Sequence, residues 1–285
     1  MTNLPIVDTH VHLWEPANIE YPWLPQVPVL NRPYLLEDYR KTCGEANVTG
    51  MVFVECEANH DLGKQEADWV ASLAEQDSRL QGIVARASIE KGKAIRDDVA
   101  ALAENRLVKG IRRLIQEEPD VTFCAQPNFI EGVQTLEEFG LSFDICVYHP
   151  QLSSAIELVR QCPNINFVLD HIGKPGIKDQ LFDPWKSEIL ELAELDNVTC
   201  KISGMVCEAD MENWQPADLK PYIHHVLDAF GFDRVMFGGD WPVIVQACEV
   251  SRWIDVLSEE VSSCSESEQR RLFHDNAVRV YRLGD

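Results

Sequence analysis

Eight times along 285 residues a short apolar or β-branched run gives way to a longer amphipathic segment, and few folds accommodate that rhythm. The runs lie at Ile6–His12, Met51–Cys56, Gln81–Ala87, Val108–Leu114, Leu141–Tyr148, Ile165–Asp170, Val198–Ser203 and Arg234–Gly239. Helical periodicity fills the intervals, at about 35–47, 62–77, 91–105, 127–139, 151–162, 183–195, 216–230 and 247–262, with a closing helix at about 266–281. Strands covered by helices on both faces read as continuous apolar runs, and Met51-Val52-Phe53-Val54 and Phe167-Val168-Leu169 have that character. Eight parallel strand–helix units close into an α/β fold of the (β/α)8 TIM-barrel type. An open doubly wound sheet would carry a glycine-rich phosphate loop after its first strand, and none follows Ile6–His12. No linker or low-complexity segment interrupts the rhythm, so residues 1–285 are expected to form a single domain.

Charge and cysteine content narrow the function. The 47 acidic residues outweigh 25 basic ones, a net charge of -22, which excludes the basic footprint of a nucleic-acid binder and disfavours anionic membrane surfaces. No apolar run reaches the ~18 residues of a membrane span, and no basic-then-apolar leader opens the sequence. Nine cysteines without a CxxC pair fit a reduced, cytoplasmic protein. A small-molecule partner is expected, and the sequence leaves room for a homo-oligomer.

The chemistry collects at the ends of the strands. Alternate residues of a strand face the same way, so His10 and His12 project together, with Asp8 on their parity. Two imidazoles on one rigid strand form half of a first-row metal site. Far down the chain, Val235-Met236-Phe237-Gly238-Gly239-Asp240 ends another apolar run in a carboxylate. Other strands end in Glu55 and Glu57, in Arg112 and Arg113 followed by Gln116, in Tyr148 and His149, and in His171. A buried charge is costly unless paired or bound to metal, so this crowding reads as catalytic. Trp14 to Tyr34 forms a long loop with five prolines and with Trp14, Tyr21, Trp23 and Tyr34. Loops of that length usually serve a function. In a barrel this one starts at the rim where active sites lie, as a hydrophobic cover or as a pocket wall whose rings stack on sugar faces.

Four motifs, Val7-Asp8-Thr9-His10-Val11-His12, Gly110-Ile111-Arg112-Arg113-Leu114, Leu169-Asp170-His171-Ile172-Gly173-Lys174-Pro175 and Phe237-Gly238-Gly239-Asp240-Trp241-Pro242, resemble the amidohydrolase superfamily. Within it they are similar to the amidohydrolase-2 branch that contains sugar lactonases and pyrone dicarboxylate hydrolase. The motifs fall in the family's order from residue 6 to about 281, and Tyr21-Pro22-Trp23-Leu24 and Leu30-Asn31-Arg32-Pro33 resemble the first loop of L-fuconolactonase-like and L-rhamnonolactonase-like members.

The resemblance implies a metal on His10, His12 and Asp240. It places His171 against the substrate carbonyl or the hydrolytic water, and gives Arg112 a substrate-binding or polarising role. No lysine ends strand four (Lys109 lies too early), so the bridging lysine of dinuclear relatives lacks a counterpart. One divalent metal, zinc first, or none is therefore expected. Gly204-Met205-Val206-Cys207 lacks a basic residue for a second carboxylate, which favours a neutral sugar lactone over a dicarboxylate pyrone. The reading is a lactonase acting in carbohydrate catabolism on a deoxysugar aldonolactone such as L-fucono- or L-rhamnonolactone. Its alternatives are a metal-dependent decarboxylase of an aromatic or unsaturated acid and a non-catalytic sugar-acid sensor. Asp240 would take the proton from water, His171 and Arg112 would meet the charge on the carbonyl oxygen, and protonated Asp240 or His149 would serve the ring oxygen. Trp23, Arg113, Gln116, Tyr148 and His149 complete the candidate substrate-binding set. Arg113 is better suited to a carboxylate such as Glu55, and Tyr148 and His149 have opposite parities, so one of them at most faces inward. Lys201 is expected in a buried ion pair.

Overall fold

The periodicity that most constrains the chain is the one that the computed structural model realises. It describes residues 4–284. The strands β1 (Ile6–Val11), β2 (Val48–Val54), β3 (Leu80–Arg86), β4 (Val108–Arg112), β5 (Ser142–Ile145), β6 (Phe167–Leu169), β7 (Val198–Ile202) and β8 (Val235–Phe237) pair in parallel in that order. The first and last meet at a seam. There Asp240 N–H donates to the His10 carbonyl at 2.8 Å, His12 N–H to the Trp241 carbonyl at 2.6 Å, and the Thr9 hydroxyl to the Phe237 carbonyl at 2.6 Å. The sheet thus curls into the expected barrel.

Around it run α1 (Leu36–Cys43), α2 (Gly63–Ala74), α3 (Arg96–Ala103), α4 (Pro127–Thr135), α5 (Leu152–Gln161), α6 (Trp185–Ala193), the short α7 (Met205–Glu208), α8 (Pro216–Phe230) and α9 (Val250–Glu260). The closing segment comprises α10 (Glu266–Arg270) and α11 (Asn276–Tyr281), joined through a π turn at Arg271–Asp275. Local chemistry trims these elements relative to the sequence pattern. The first helix stops at Cys43 because Gly44 turns left-handed at φ 58°, and Gly92 at φ 64° separates a short turn from α3. The single turn of α7 follows β7 and has no periodicity long enough to read.

Strands also end before their apolar runs do: β5 stops at Ile145 and not at Tyr148, β4 at Arg112 and not at Leu114. Beyond those points the backbone leaves the ladder, so the strand alternation no longer decides which side chains face the barrel mouth. At the opposite end Val7, Val52, Val84, Val168 and Met236 form a small apolar cluster with Ala277, Tyr281 and Leu283 of the C-terminal segment. The other core, far larger, lies between the sheet and the helices.

The first loop packs as a unit. Trp14 and Tyr34 pair their backbones in both directions at 3.1 and 2.9 Å, and the Trp14 ring meets Trp23 and Tyr34 edge-on at 5.4 and 5.5 Å. Aromatic pairs of this geometry contribute about 0.5–1.5 kcal/mol beyond area burial. Below the loop, Glu66 of α2 is buried and accepts the Cys56 amide at 3.2 Å, with the Tyr21 hydroxyl facing it. Burial, reinforced by the Glu55 charge, pushes the Glu66 carboxyl up to about 8. A carboxyl whose pKa is higher folded than unfolded stabilises at low pH, and that contribution is lost as pH rises through the folded value. Between about pH 5 and pH 8 this one group should cost up to about 1.4 kcal/mol of stability per pH unit. Urea unfolding across that window should show Glu66→Gln with the smaller decline; identical slopes for the two proteins would refute the buried neutral carboxyl.

Candidate active site

At the mouth of the barrel, three imidazoles converge on one carboxylate oxygen. Asp240 Oδ1 lies 3.6 Å from His12 Nε2, 3.8 Å from His10 Nε2 and 3.8 Å from His171 Nε2, and all four residues are buried. β1 supplies two of the histidines, the turn after β6 the third, and the turn after β8 the carboxylate. Asp240 and His171 both sit in left-handed backbone, at φ 55° and 53°. Side chains adopt that conformation rarely, and it persists where surrounding structure over-determines it, often at functional sites. A strand ending in regular geometry would point these groups elsewhere.

The ring orientations are fixed from behind. His12 Nδ1 donates to the Val54 carbonyl at 2.8 Å, which turns Nε2 toward the cavity. His10 Nδ1 lies 3.3 Å from Asp170 Oδ1, and its Nε2 accepts from Arg112 Nη1 at 3.3 Å. His171 Nδ1 pairs with the Ser203 hydroxyl at 2.9 Å. Burial holds the His10 and His171 imidazoles well below their usual pKa, so both stay neutral. For Asp240 burial opposes ionisation, but His171, His12 and Lys174 outweigh it and hold the carboxyl below its usual range.

Beneath the histidines runs a chain of buried ions. Arg112 Nε donates to Glu55 Oε1 at 2.8 Å and Nη1 to Asp170 Oδ2 at 3.1 Å, while Lys201 Nζ reaches Asp170 at 3.0 Å and Asp144 at 2.7 Å. The expected buried pairing of Lys201 is what the structure contains. Asp144 also accepts the Tyr281 hydroxyl at 2.7 Å.

Above the floor opens a cavity of about 420 Å³. His12, Arg112, His171, Asp240, Trp23 and Gln116 line it, together with Trp14, Val27, Leu30 and Val243 on an apolar side. The aromatic loop is therefore both cover and wall: the Trp23 indole donates to the Cys56 carbonyl at 2.8 Å and still faces the cavity. Lys174, at φ 44° after the His171 turn, lines it too and donates to Gln116 Oε1 at 2.5 Å.

Four sequence expectations need correction. Arg113 is not part of the lining; the residue after Arg112 faces the other way, and its guanidinium binds Glu90 at 3.2 Å and Glu118, not Glu55. Neither Tyr148 nor His149 lines the cavity, because β5 has already ended. Tyr148 lies exposed with Lys174 Nζ 5.1 Å from its ring centroid, His149 opens a turn outside, and Cys146 lines the cavity in their place. Asp8 leaves the parity of the two histidines where the β1–β2 register shifts. Its carboxylate accepts the Gly239 amide at 2.7 Å, the His10 amide at 3.0 Å and the Tyr39 hydroxyl at 2.8 Å. Sequence reasoning also missed Lys174, Cys56, Cys146, Asp144 and Asp170 as working parts of this region. Lys174 and Asp170 were in plain view, flanking the histidine of the third motif.

The donor set suits a divalent metal. His10, His12 and Asp240 offer two imidazole nitrogens and a carboxylate oxygen within 4.8 Å of one another, and His10, Asp170 and His171 form a second such group among the described residues. Ligands of a tetrahedral zinc at about 2.0–2.1 Å would be spaced about 3.3 Å apart, close to the 3.6 to 3.8 Å between Asp240 and its histidines. The second nitrogen of each histidine faces an oxygen acceptor, Val54 O for His12 and Asp170 for His10, as metal-binding histidines generally require.

An amidohydrolase family model matches residues 7–283. The chain is 30% identical to an L-fucono-1,5-lactonase of Burkholderia multivorans, covering 97% of this chain and 96% of that one. It is 24% identical to an L-rhamnono-gamma-lactonase of Scheffersomyces stipitis over 99% of this chain and 100% of the other. A crystal structure of a Burkholderia multivorans amidohydrolase with bound zinc superposes with a TM-score of 0.87 at 29% identity, covering 98% and 99% of the two chains.

Two substitutions test the supports of this floor. A Cβ at Gly204, where φ is 66°, would lie 2.5 Å from His171 Nδ1. Gly204→Ala should therefore displace the ring and lower turnover about tenfold or more; unchanged turnover would show that the ring position is not critical. Lys201→Met leaves Asp144 and Asp170 without their shared cation, and breaking a buried pair costs about 3–5 kcal/mol. Chemical denaturation should record that loss, and a loss under about 1 kcal/mol would mean that the carboxylates are neutralised by other means.

Proposed function

This chain belongs to the amidohydrolase family, and we propose that it opens a sugar aldonolactone, of a deoxysugar such as L-fucono- or L-rhamnonolactone, by water attack on the lactone carbonyl. The observation that carries the reading is the convergence of three imidazoles on the ionised Asp240 at the floor of a small, tryptophan-walled cavity. At about 420 Å³ the cavity lies at the small end of the range for small-molecule sites, roughly 300–1,000 Å³. That volume suits one sugar ring. Trp23, backed edge-on by the buried Trp14, presents an apolar face for the ring's C–H surface and for the methyl group of a deoxysugar. The lining cations already face carboxylates of the protein, Glu55 and Asp170 at Arg112 and Glu208 at 3.8 Å from Lys174, so each positive charge is set against a negative one. A neutral lactone fits that balance, as do the lactonases among the similar proteins.

In this reading Asp240 accepts the proton of the attacking water. As the carbonyl carbon becomes tetrahedral, charge grows on its oxygen and is met by Arg112 and His171. A preorganised donor of that kind is worth roughly 10²–10³ in turnover. His10, His12 and Asp240 would hold one divalent ion, zinc by the chemistry of the donors; when bound, such an ion supplies Lewis acidity and a more acidic water. Nine free thiols fit a reducing, cytoplasmic setting, and the activity would serve carbohydrate catabolism.

Acid release from a panel of L-fucono-, L-rhamnono-, D-arabinono- and L-galactonolactone, followed with a pH indicator, tests the proposal. Rapid, selective acidification is expected. Asp240→Asn should lower turnover about 10²–10⁴-fold, the usual contribution of a general base, with the fold intact by circular dichroism; wild-type turnover in that variant would remove Asp240 from the mechanism. Chelation in the same assay reads metal dependence. Silence across the panel with and without zinc or manganese would overturn the lactonase reading, and carbon dioxide release from aromatic acids would replace it with a decarboxylase.

A further inference from the structure

Lactone opening has a second proton requirement. The ring oxygen departs as a sugar alkoxide, a poor leaving group unless a proton reaches it as the carbon–oxygen bond breaks. The Asp240 carboxyl, having taken the proton of water, sits on the attacking side, and His149 is outside the lining. The cavity wall contains another carboxyl, Glu57.

Resting on the lactonase reading, we propose that Glu57 is the general acid that protonates the leaving ring oxygen. It follows β2 and lines the cavity. Its backbone is left-handed at φ 54°, the conformation also found at His171 and Asp240. A bond from its own N–H to Glu55 Oε2 at 2.8 Å pins that turn. Four described non-glycine residues of this conformation line the same cavity, Glu57 after β2, His171 and Lys174 after β6, and Asp240 after β8; His171 and Asp240 form its reactive floor and Lys174 is bound to Gln116. Glu57 is a carboxyl without an assigned role.

The surroundings of Glu57 suit proton donation. Glu55 lies beneath it on β2, Arg86 Nη1 of β3 lies 3.6 Å from Oε1, and Arg112 and Arg113 approach from β4. Burial, with the Glu55 charge, raises the carboxyl above its usual range despite these guanidiniums. The side chain is 34% exposed, so it can reload from water. Other lining groups are less suited: Glu117 is exposed at the rim, and the Lys174 ammonium is bound to Gln116.

The step balances. Water oxygen bonds to the carbonyl carbon as Asp240 takes its proton. The ring carbon–oxygen bond then breaks with its electron pair moving to oxygen, and Glu57 delivers a proton there and becomes a carboxylate. Solvent returns a proton to Glu57 and Asp240 releases one, two exchanges that cancel; the aldonic acid so formed then loses its carboxyl proton, so lactone and water give an aldonate anion and one proton.

Glu57→Gln tests this by leaving group. Turnover of the preferred aldonolactone should fall about 100-fold or more, whereas dihydrocoumarin, whose phenoxide departs without a proton, should change less than about threefold. The alkaline limb of the kcat profile for the aldonolactone, present in the wild type because the acid must be protonated, should vanish in Glu57→Gln. Glu57→Asp, which keeps the acid at shorter reach, should recover part of the rate. Equal losses on both substrates, or wild-type turnover in Glu57→Gln, would overturn the proposal; where the wild type does not turn over dihydrocoumarin, the alkaline limb decides alone. A wild type silent on every aldonolactone defeats the lactonase reading and the acid role with it, whereas an active wild type matched by Glu57→Gln defeats the acid role only.

Discussion

A chain of buried charges across the barrel, Glu55, Arg112, Asp170, Lys201 and Asp144, is the interaction on which the rest of the site depends. Its members come from β4, β5 and β7 and from the residues just after β2 and β6, alternate in sign, and are spaced at 2.7 to 3.1 Å. Taking such charges out of water costs several kcal/mol per ion, and their attraction recovers that only when the geometry is good and the remaining donors and acceptors are used. Here they are in part: the Glu55 side chain also accepts the Glu57 amide and Asp144 Oδ2 the Tyr281 hydroxyl, while Asp144 Oδ1 is left without a hydrogen-bond partner. What the chain provides is orientation. Asp170 and Arg112 lie against opposite nitrogens of His10, so the ring cannot rotate or change its protonated nitrogen without breaking the series.

Orientation continues into the backbone. Glu57, His171 and Asp240 all leave their strands in left-handed turns, and glycines stand where a side chain could not. A Cβ at Gly238 would meet His10 and Ser203 at 2.9 Å, and one at Gly239 would meet the Asp8 carboxylate at 2.3 Å. Those two glycines let β8 close onto β1 while Asp240 swings over the histidines. The Asp8 carboxylate accepts amides from both sides of that seam, so the closure of the barrel and the placement of its reactive carboxylate are one structural event.

The architecture was legible because burial on two faces forces continuous apolar strands, and nothing but a closed barrel satisfies eight of them with helices between. The floor of the site was legible for a related reason: His10, His12, His171 and Asp240 are polar residues ending apolar runs, where a charge has no business unless it works. What stayed hidden depends on backbone geometry at those ends. Period two fails where the β1–β2 register shifts, which sends Asp8 to the seam, and beyond Ile145, which turns Tyr148 and His149 away from the cavity. It holds at Arg112 and Arg113, whose opposite directions decide that the first joins the buried chain and the second binds Glu90 on the flank. The partners of Lys201 are also beyond pattern reading, since Asp144 and Asp170 meet it only once the barrel has closed.

The same charges bear on what the cavity admits. A buried cation attracts an anionic ligand in proportion to the charge that its neighbours leave uncompensated; Arg112 is paired with Glu55 and Asp170, and Lys174 has the Glu208 carboxylate 3.8 Å away and the Asp240 charge near it. Glu57, Glu117 and Asp240 add carboxyls to the lining, on a chain of net charge -22. An approaching carboxylate would meet like charge at the rim and in the summed field of the surface. A neutral ring meets neither, and gains the Trp23 face. Hydrolysis then converts that neutral ring into an anion inside the same carboxyl-rich wall, so the charge distribution that makes the cavity receptive to the lactone favours departure of the acid.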